Sequence, residues 1–315
     1  MTDKPKRFLI IDSNSIIHRA FHALPPLTTS QGEVVNAVYG FLLVFFKAIK
    51  DFQPDFIAAA FDVPGPTFRH KKYQAYKAKR PKAPDELYQQ IPRVKEVLTV
   101  FQVPFYEASG FEADDVIGTL ATLAPKKQVI PPLETIIVSG DADALQLVNP
   151  KTKVYLLRKG VKDIVLYDES LTREKFQGLS PEQILDFKSL RGDASDNIPG
   201  VTGIGEKTAI KLLLQFGSLA NIYEAWPEEK DAKTKGFSSG LRETLLKYKE
   251  QAFISLELAK IDRAVPLDFN LPDCAFGQYD RSAAEQLLKQ FNFNSLLNRL
   301  PESSHSKIGE NLKLW

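Results

Sequence analysis

The chain has 315 residues, a formal net charge of +2, and 43% hydrophobic and 25% charged residues, which is typical of a globular protein of about two domains. Its single cysteine, Cys274, excludes intramolecular disulfides and cysteine-based metal clusters. The most apolar stretch, residues 37–46, is shorter than the roughly 18 to 20 residues of a membrane span, so we expect a soluble cytoplasmic protein without a membrane partner.

Strand and helix patterns alternate in the first half of the chain. Short, continuous apolar runs predict buried parallel strands at residues 7–11, 56–61 and 134–139. Helical patterns separate them at about 34–51, 86–101 and 111–124. Two shorter strand candidates at 153–157 and 163–167 could form a hairpin. The alternation predicts an α/β fold with a mostly parallel central sheet and helices on both faces.

The character of the sequence changes after about residue 170, where successive helical patterns replace the alternation. We therefore predict an α/β core over residues 1–175 and a helical region over 176–300. Residues 301–315 are polar and lack periodicity, which predicts a tail or linker.

Acidic residues follow each of the three main predicted strands. Asp12 ends the first strand, Asp62 follows the second, and Asp141 and Asp143 follow the third. Ligands of an open α/β sheet bind outside the carboxyl ends of its strands, so these carboxylates are expected to meet in one crevice. Further candidates are Glu112, Asp114 and Asp115 at a predicted helix start, and Asp193 with Asp196, which share a face if that segment is helical.

These nine carboxylates predict a metal site. Without cations they would repel one another and bind protons. Because hard cations take oxygen ligands and the chain has only four histidines, the pattern favours Mg²⁺ or Mn²⁺ over zinc. So many acids indicate two ions, which can clamp a phosphodiester. His18 and His22 have metal-ligand spacing, but their aromatic neighbours favour packing instead.

A basic run lies at residues 68–84, with seven Lys or Arg and no acid between Arg69 and Lys82. Basic side chains neutralise phosphates and aromatic rings stack on unpaired bases, so the run predicts contact with nucleic acid. If it is helical, one stripe contains Arg69, Tyr73, Tyr76, Lys77 and Arg80. The remaining candidates are Lys71, Lys72 and Lys79. A solvated helix face is the alternative.

The string GVTGIGEKT, residues 200–208, superficially resembles a nucleotide-binding loop. It is not a P-loop, because Glu206 stands before Lys207 and no strand precedes it. Its glycines Gly200, Gly203 and Gly205 instead predict a hairpin between helices at about 181–190 and 206–216. Backbone N–H groups there can bind a DNA phosphate without reading sequence, and Lys207 and Lys211 add charge. A plain helical hairpin is the alternative.

Six strings in order resemble the 5′-nuclease domain of bacterial DNA polymerase I, a family related to the flap endonucleases. They are IIDSNSIIHRAFHAL, NAVYGF, AAAFDVPGPTFRHKKYQAYKAKRP, FEADDVIGTLA, SGDADALQLV and GDASDNIPGVTGIGEKTA. The resemblance runs from residue 8 to about 300. It departs at the proline-rich APKKQVIPPLE, and no polymerase sequence follows residue 300. We expect either a fragment of a longer polymerase or a stand-alone nuclease.

The resemblance implies a PIN-like nuclease core whose metal ligands are the same nine acids. It implies a basic helical arch at about 68–90 that contacts the scissile phosphate through Tyr76, Lys77 and Arg80. Lys77 and Arg80 would stabilise the developing charge, and Arg19 is implied as a further basic residue near the active site. It also implies a duplex-binding helix–three-turn–helix element at about 181–216, where relatives can hold K⁺. The implied activity is cleavage of 5′ flaps, 5′ DNA ends and RNA primers on DNA during replication and repair at the bacterial nucleoid.

Two other functions stay open. A metal-dependent phosphatase could use Asp12 as its nucleophile, although such enzymes place a second acid two residues later, where this chain has Asn14. A non-catalytic duplex-DNA-binding module would use the glycine hairpin alone and would leave the nine acids unexplained.

Overall fold

The computed structural model of the protein describes residues 4–126, 132–225 and 238–303. Six strands form one sheet in the order β3-β2-β1-β4-β5-β6. They are β1 (Lys6–Asp12), β2 (Phe56–Ala60), β3 (Phe105–Tyr106), β4 (Leu133–Ser139), β5 (Thr152–Lys159) and β6 (Asp163–Tyr167). All neighbouring strands are parallel except β5 and β6, which form an antiparallel pair. The predicted fold class is confirmed, including the terminal hairpin.

Helices flank the sheet and then form the second part of the chain. Those before β6 are α1 (Ser13–Ala23), α2 (Asn36–Phe52), α3 (Phe68–Lys72), α4 (Asp85–Tyr88), α5 (Ile91–Val100) and α6 (Ala113–Leu123). Those after it are α7 (Glu169–Lys175), α8 (Gln183–Arg191), α9 (Glu206–Phe216), α10 (Leu219–Ala225), α11 (Ser239–Lys247), α12 (Lys249–Ala259), α13 (Arg281–Gln290) and α14 (Asn294–Leu297). None of the helices among the described residues has the length and apolarity needed to cross a membrane.

The central strand β1 explains why the apolar runs are continuous. Leu9 and Ile11 pack into the core on one face of the sheet, and Phe8 and Ile10 pack into the core on the other. All four side chains are fully buried, and each contributes about 1.5–3 kcal/mol to folding. Because both faces are covered, alternation between apolar and polar residues is absent.

Three details of the fold differ from the sequence prediction. The edge strand β3 and the helix α1 were not predicted, and the helix expected over residues 86–101 is divided between α4 and α5. Gln90 lies at that break, and its side-chain oxygen accepts hydrogen bonds from the backbone N–H groups of Ala37 and Val38 at the start of α2. Pro92, in the first turn of α5, has no backbone N–H for a continuous helix. A local helix breaker and a tertiary contact therefore both lie at this break. The predicted tail lies outside the described residues beyond Ser303.

Candidate active site

A cavity of about 580 Å³ opens at the carboxyl ends of the parallel strands. The order of the sheet reverses between β1 and β4, which is where ligands of open α/β sheets bind. Six of the nine predicted acids line this cavity: Asp12, Asp62, Glu112, Asp114, Asp141 and Asp196. The structure therefore brings together carboxylates from five separate parts of the chain.

Asp12 and Asp141 occupy the two strand ends on either side of the reversal. The Asp12 carboxylate accepts hydrogen bonds from the Ser15 N–H at 3.1 Å, where it caps α1, and from the Ser139 hydroxyl at 2.5 Å. Burial raises the pKa of Asp12 to about 6, and the charge of Asp141 adds to the shift. The Asp141 carboxylate accepts from the Asp143 N–H at 2.9 Å. Both acids are thus fixed in place by the turns that follow their strands.

Asp114 is an acid that lies among other acids. Burial, together with the charges of Asp12, Asp141 and Asp143, raises the pKa of Asp114 well above its usual range. Oxygen-only groups that repel one another in this way fit a hard divalent cation, which would offset their charge. No three carboxylate, imidazole or thiol groups of the described residues are grouped closely enough to enclose an ion.

A lysine that the sequence prediction missed binds two of the acids. The Lys188 ammonium on α8 contacts the carboxylates of Asp143 and Asp193, the latter at 2.6 Å. Burial opposes the ionised lysine, but the two acids outweigh burial and raise its pKa. Burial also opposes ionised Asp193, yet Lys188 lowers the pKa of that carboxyl to about 2. Asp143 and Asp193 therefore face a cation of the protein itself.

Opposite pKa shifts predict opposite effects of two substitutions on the metal-free protein. Because the pKa of Asp114 is raised on folding, its ionisation destabilises the fold as pH rises, and Asp114→Asn is expected to raise Tm at pH 7. The gain should shrink as pH falls and vanish below about pH 3, where the unfolded state, whose carboxyl has the ordinary pKa of 3.8, also binds the proton. Asp193→Asn should instead cost about 1–2 kcal/mol at pH 7, a loss that disappears as pH falls towards 2. Thermal unfolding of the two variants in chelator across this pH range checks both predictions. Changes in Tm of the same sign at pH 7 would contradict them.

The basic run does not form the predicted continuous helix. Helix α3 ends at Lys72, and Lys77 adopts a left-handed backbone with φ of 54°. The Lys77 ammonium contacts Glu112 at 2.8 Å, and the Arg80 guanidinium contacts Asp196 at 2.7 Å. Tyr76 is 3% exposed and its hydroxyl donates to Glu112 and Asp196. The predicted stripe is therefore wrong, and so is the assignment of Tyr76 as an open DNA contact, whereas Lys77 and Arg80 line the cavity.

Arg69 and Asp115 lie away from the cavity and are bound to each other. Two guanidinium nitrogens of Arg69 donate to the two Asp115 oxygens, each at 2.7 Å, and the side chains are 3% and 0% exposed. The Asp115 oxygens also accept the backbone N–H groups of Glu112 and Asp262. Neither residue has room for an external ligand, so the predictions of Asp115 as a metal ligand and Arg69 as a DNA contact are corrected.

Helix α1 forms a further wall of the cavity. His18, Arg19 and His22 all line it, and the His22 ring also packs edge-on against its aromatic neighbour Phe21. The Arg19 guanidinium donates to the carbonyl oxygens of Gly140 at 2.6 Å and Arg158 at 3.0 Å. Arg19 thereby ties the loop that carries Asp141 to α1 and β5.

The glycine hairpin joins α8 and α9, as predicted. Asp193 and Asp196 are not on a helix; Asp193 pairs with Ile198 through two backbone hydrogen bonds in the loop that precedes the hairpin. Gly200 is buried, and its N–H donates to the Ser255 hydroxyl, so it is not an open phosphate contact.

The other candidate DNA contacts differ in exposure. The exposed ones are Gly203, Gly205, Lys207, Lys211, Lys71, Lys72 and Lys79, and Tyr73 is half-buried. Their contact with DNA stays a prediction.

Gly200 and Gly205 allow a structural role of a hairpin glycine to be distinguished from a role in DNA binding. A Cβ on Gly200 would lie 2.2 Å from the Gly192 nitrogen, and its φ is +62°, whereas a Cβ on Gly205 would meet nothing within 4 Å. Gly200→Ala is therefore expected to destabilise the protein by about 2–4 kcal/mol. Gly205→Ala should leave stability within about 0.5 kcal/mol but weaken duplex binding by crowding the phosphate. Urea unfolding and DNA titration distinguish them, and unchanged DNA affinity of Gly205→Ala would contradict backbone contact there.

Comparisons with known proteins cover nearly the whole chain. Residues 7–177 match the family model of the 5′-3′ exonuclease N-terminal resolvase-like domain, and residues 179–282 match that of the 5′-3′ exonuclease C-terminal SAM fold. The chain is 42% identical over 304 residues to DNA polymerase I of Bacillus caldotenax and to that of Bacillus subtilis. These matches cover 96% of this chain and 33% of each polymerase, so the chain spans about a third of their length.

Solved structures with the same fold include a 5′-exonuclease and a catalytic core bound to DNA. One is T5 5′-exonuclease with bound divalent zinc ions, at a TM-score of 0.65 and 18% identity, covering 94% of this chain and all of that one. Another is the catalytic core of Rad2 in complex with a DNA substrate, at a TM-score of 0.57 and 20% identity, covering 91% of this chain and 88% of that one. At these identities the likeness concerns the fold.

Proposed function

The chain belongs to the 5′-3′ exonuclease family, and we propose that it is a metal-dependent, structure-specific 5′ nuclease that hydrolyses phosphodiesters of DNA and RNA. The observation that carries the proposal is a single cavity in which six carboxylates face Lys77 and Arg80. The carboxylates can hold metal ions, and the basic side chains can stabilise negative charge on a phosphoryl group. Hydrolysis of a phosphodiester uses both.

The proposed cofactors are two Mg²⁺ or Mn²⁺ ions. Asp12, Asp62, Glu112, Asp114, Asp141 and Asp196 would hold them, with Asp143 and Asp193 available if Lys188 releases them. When bound, such ions neutralise the carboxylates and act as Lewis acids towards the phosphodiester. Burial and the charges of neighbouring acids, which together raise the pKa of Asp114, support this fit. We also propose a K⁺ ion at the glycine hairpin, where the backbone around Gly203 and Gly205 is exposed.

Side chains of this chain would position the substrate and stabilise charge. Lys77 and Arg80 would leave their carboxylate partners and donate to the phosphoryl oxygens, on which negative charge grows during hydrolysis. Arg19 would keep the Asp141 loop in place through the Gly140 carbonyl. Lys207 and the exposed glycines of the hairpin would hold the duplex by its backbone.

The proposed substrates are DNA with a 5′ flap or 5′ end and RNA primers paired with DNA. We propose that residues 1–175 carry the chemistry and residues 176–300 hold the duplex, a division supported by the boundary between the two matched families near residue 178. The polymerase relatives named above are bacterial, which supports action on nucleoid DNA in the cytoplasm.

Cleavage of a labelled 5′-flap duplex with Mg²⁺, and again with excess chelator, tests the proposal. We expect metal-dependent products with 5′-phosphate and 3′-hydroxyl ends, from both all-DNA flaps and RNA–DNA hybrids. Hydrolysis of a small aryl phosphate without flap cleavage would instead identify a phosphatase. Duplex binding without hydrolysis of either substrate would identify a binding module.

A further inference from the structure

Residues 73–80, here called the arch segment, form no helix and place Lys77 and Arg80 in the lining of the acidic cavity. They contact residues 192–200, here called the SDN loop after its Ser195-Asp196-Asn197 sequence. We propose that Asn197 is a positioning residue that clamps the arch segment in the orientation required for catalysis. The inference rests on the proposed nuclease function and concerns a residue that does not itself line the cavity.

Two hydrogen bonds form the clamp. The Asn197 side-chain amide donates to the Ala75 carbonyl oxygen at 2.6 Å. In the opposite direction, the Lys77 backbone N–H donates to the Asp196 carbonyl oxygen at 2.9 Å. The SDN loop and the arch segment thus each contribute one donor and one acceptor. The bonds involve two adjacent residues of the SDN loop and residues 75 and 77 of the arch segment. Two bonds of opposite polarity restrict sliding and rotation of one segment against the other.

Both clamp residues, Lys77 and Asn197, have a left-handed backbone. Lys77 has φ of 54° and Asn197 has φ of 56°, both in the left-handed region. Asparagine tolerates this region, but lysine does not favour it and needs surrounding contacts to remain there. The bond from the Lys77 N–H itself is one of those contacts. The strain therefore lies at the residue whose ammonium faces the cavity.

The clamp determines where the functional side chains of the arch segment point. With Lys77 turned in this way, its ammonium reaches Glu112 at 2.8 Å, and the Tyr76 hydroxyl reaches both Glu112 and Asp196. Arg80 follows one turn later and contacts Asp196. Loss of the Asn197 bond would leave the arch segment attached but with its cations less well aimed. Turnover should then fall while duplex affinity stays constant.

The test uses Asn197→Gly, which permits the left-handed backbone but removes the side-chain donor. Asn292→Gly is the matched control, because Asn292 is an exposed asparagine with φ of 60° outside the cavity. Hydrogen exchange of the metal-free protein is measured over residues 73–80. We expect exchange there to accelerate about tenfold in Asn197→Gly and to be unchanged in Asn292→Gly.

Single-turnover cleavage of flap DNA provides the second measurement. We expect a rate about tenfold lower for Asn197→Gly, with the Kd for the duplex within about twofold of wild type. Asn197→Asp, which also tolerates the left-handed region but cannot donate, should behave in the same way if the glycine variant folds poorly. Unchanged exchange over residues 73–80, or a loss of affinity equal to the loss of rate, would overturn the proposal. Failure of the wild-type protein to cut flap DNA would refute the proposed function, while the exchange comparison would still decide whether the clamp exists.

Discussion

Asp141→Asn is expected to lower the single-turnover rate of flap cleavage by about 10³-fold or more while leaving the fold intact. The Asp141 carboxylate lines the cavity, and it accepts a hydrogen bond from the Asp143 N–H at the start of a 3₁₀ turn. An asparagine oxygen can accept the same hydrogen bond, so the turn survives. What is lost is one negative charge for cation binding, and metal assistance is worth several kcal/mol of barrier.

The matched control is Asp268→Asn, which removes an exposed aspartate elsewhere in the chain. In urea unfolding, the free energy of unfolding of both variants should be within about 0.5 kcal/mol of wild type. Both variants should also bind flap DNA in chelator with the wild-type Kd. Cleavage by Asp141→Asn at a rate near that of the control would contradict the assignment of this acid. Wild-type cleavage that continues in excess chelator would do the same for the whole site.

The architecture could be predicted because the signals for strands and helices lie in residues that are neighbours in sequence. Continuous apolar runs such as residues 7–11 indicate strands buried on both faces. The acids that follow these strands meet because the carboxyl ends of parallel strands lie at one edge of the sheet. The two-residue strand β3 carries too few residues for any pattern. Helix α1 begins directly after β1, and the side chain of Asp12 caps it. Asp12 therefore both belongs to the predicted site and starts a helix that was not predicted.

The predictions that failed depended on partners distant in sequence. Arg69 and Tyr76 look like the other basic and aromatic residues of their run, yet their partners Asp115 and Asp196 lie 46 and 120 positions away. Lys188 stands in an ordinary helical pattern, and only the fold shows that it binds Asp143 and Asp193. Charge spacing along one segment cannot distinguish a lysine that faces solvent from one that neutralises a buried acid.

The Arg69–Asp115 ion pair is expected to be among the most costly contacts to break. Arg69 also donates to the carbonyl oxygens of Leu258 and Lys260, so it joins the base of the arch to the end of α12. Asp115→Asn or Arg69→Gln would leave an uncompensated buried charge, and each is expected to destabilise the protein by about 3–5 kcal/mol. In urea unfolding, Arg158→Gln is the control, because it breaks an exposed pair with Asp163 and should cost less than about 1 kcal/mol.

Comparison of Asp115→Asn with Asp141→Asn separates a structural acid from a metal ligand. If Asp115 held a metal, its substitution would resemble Asp141→Asn, with normal stability in chelator and little cleavage. As the partner of Arg69, it should show the reverse, with a large loss of stability and, at a low temperature where the variant is folded, cleavage closer to wild type than that of Asp141→Asn. The double variant Arg69→Gln, Asp115→Asn should be destabilised by less than the sum of the single variants, because neither buried charge then lacks its counter-charge. Additive losses would mean that the two side chains act independently, contrary to their bidentate contact.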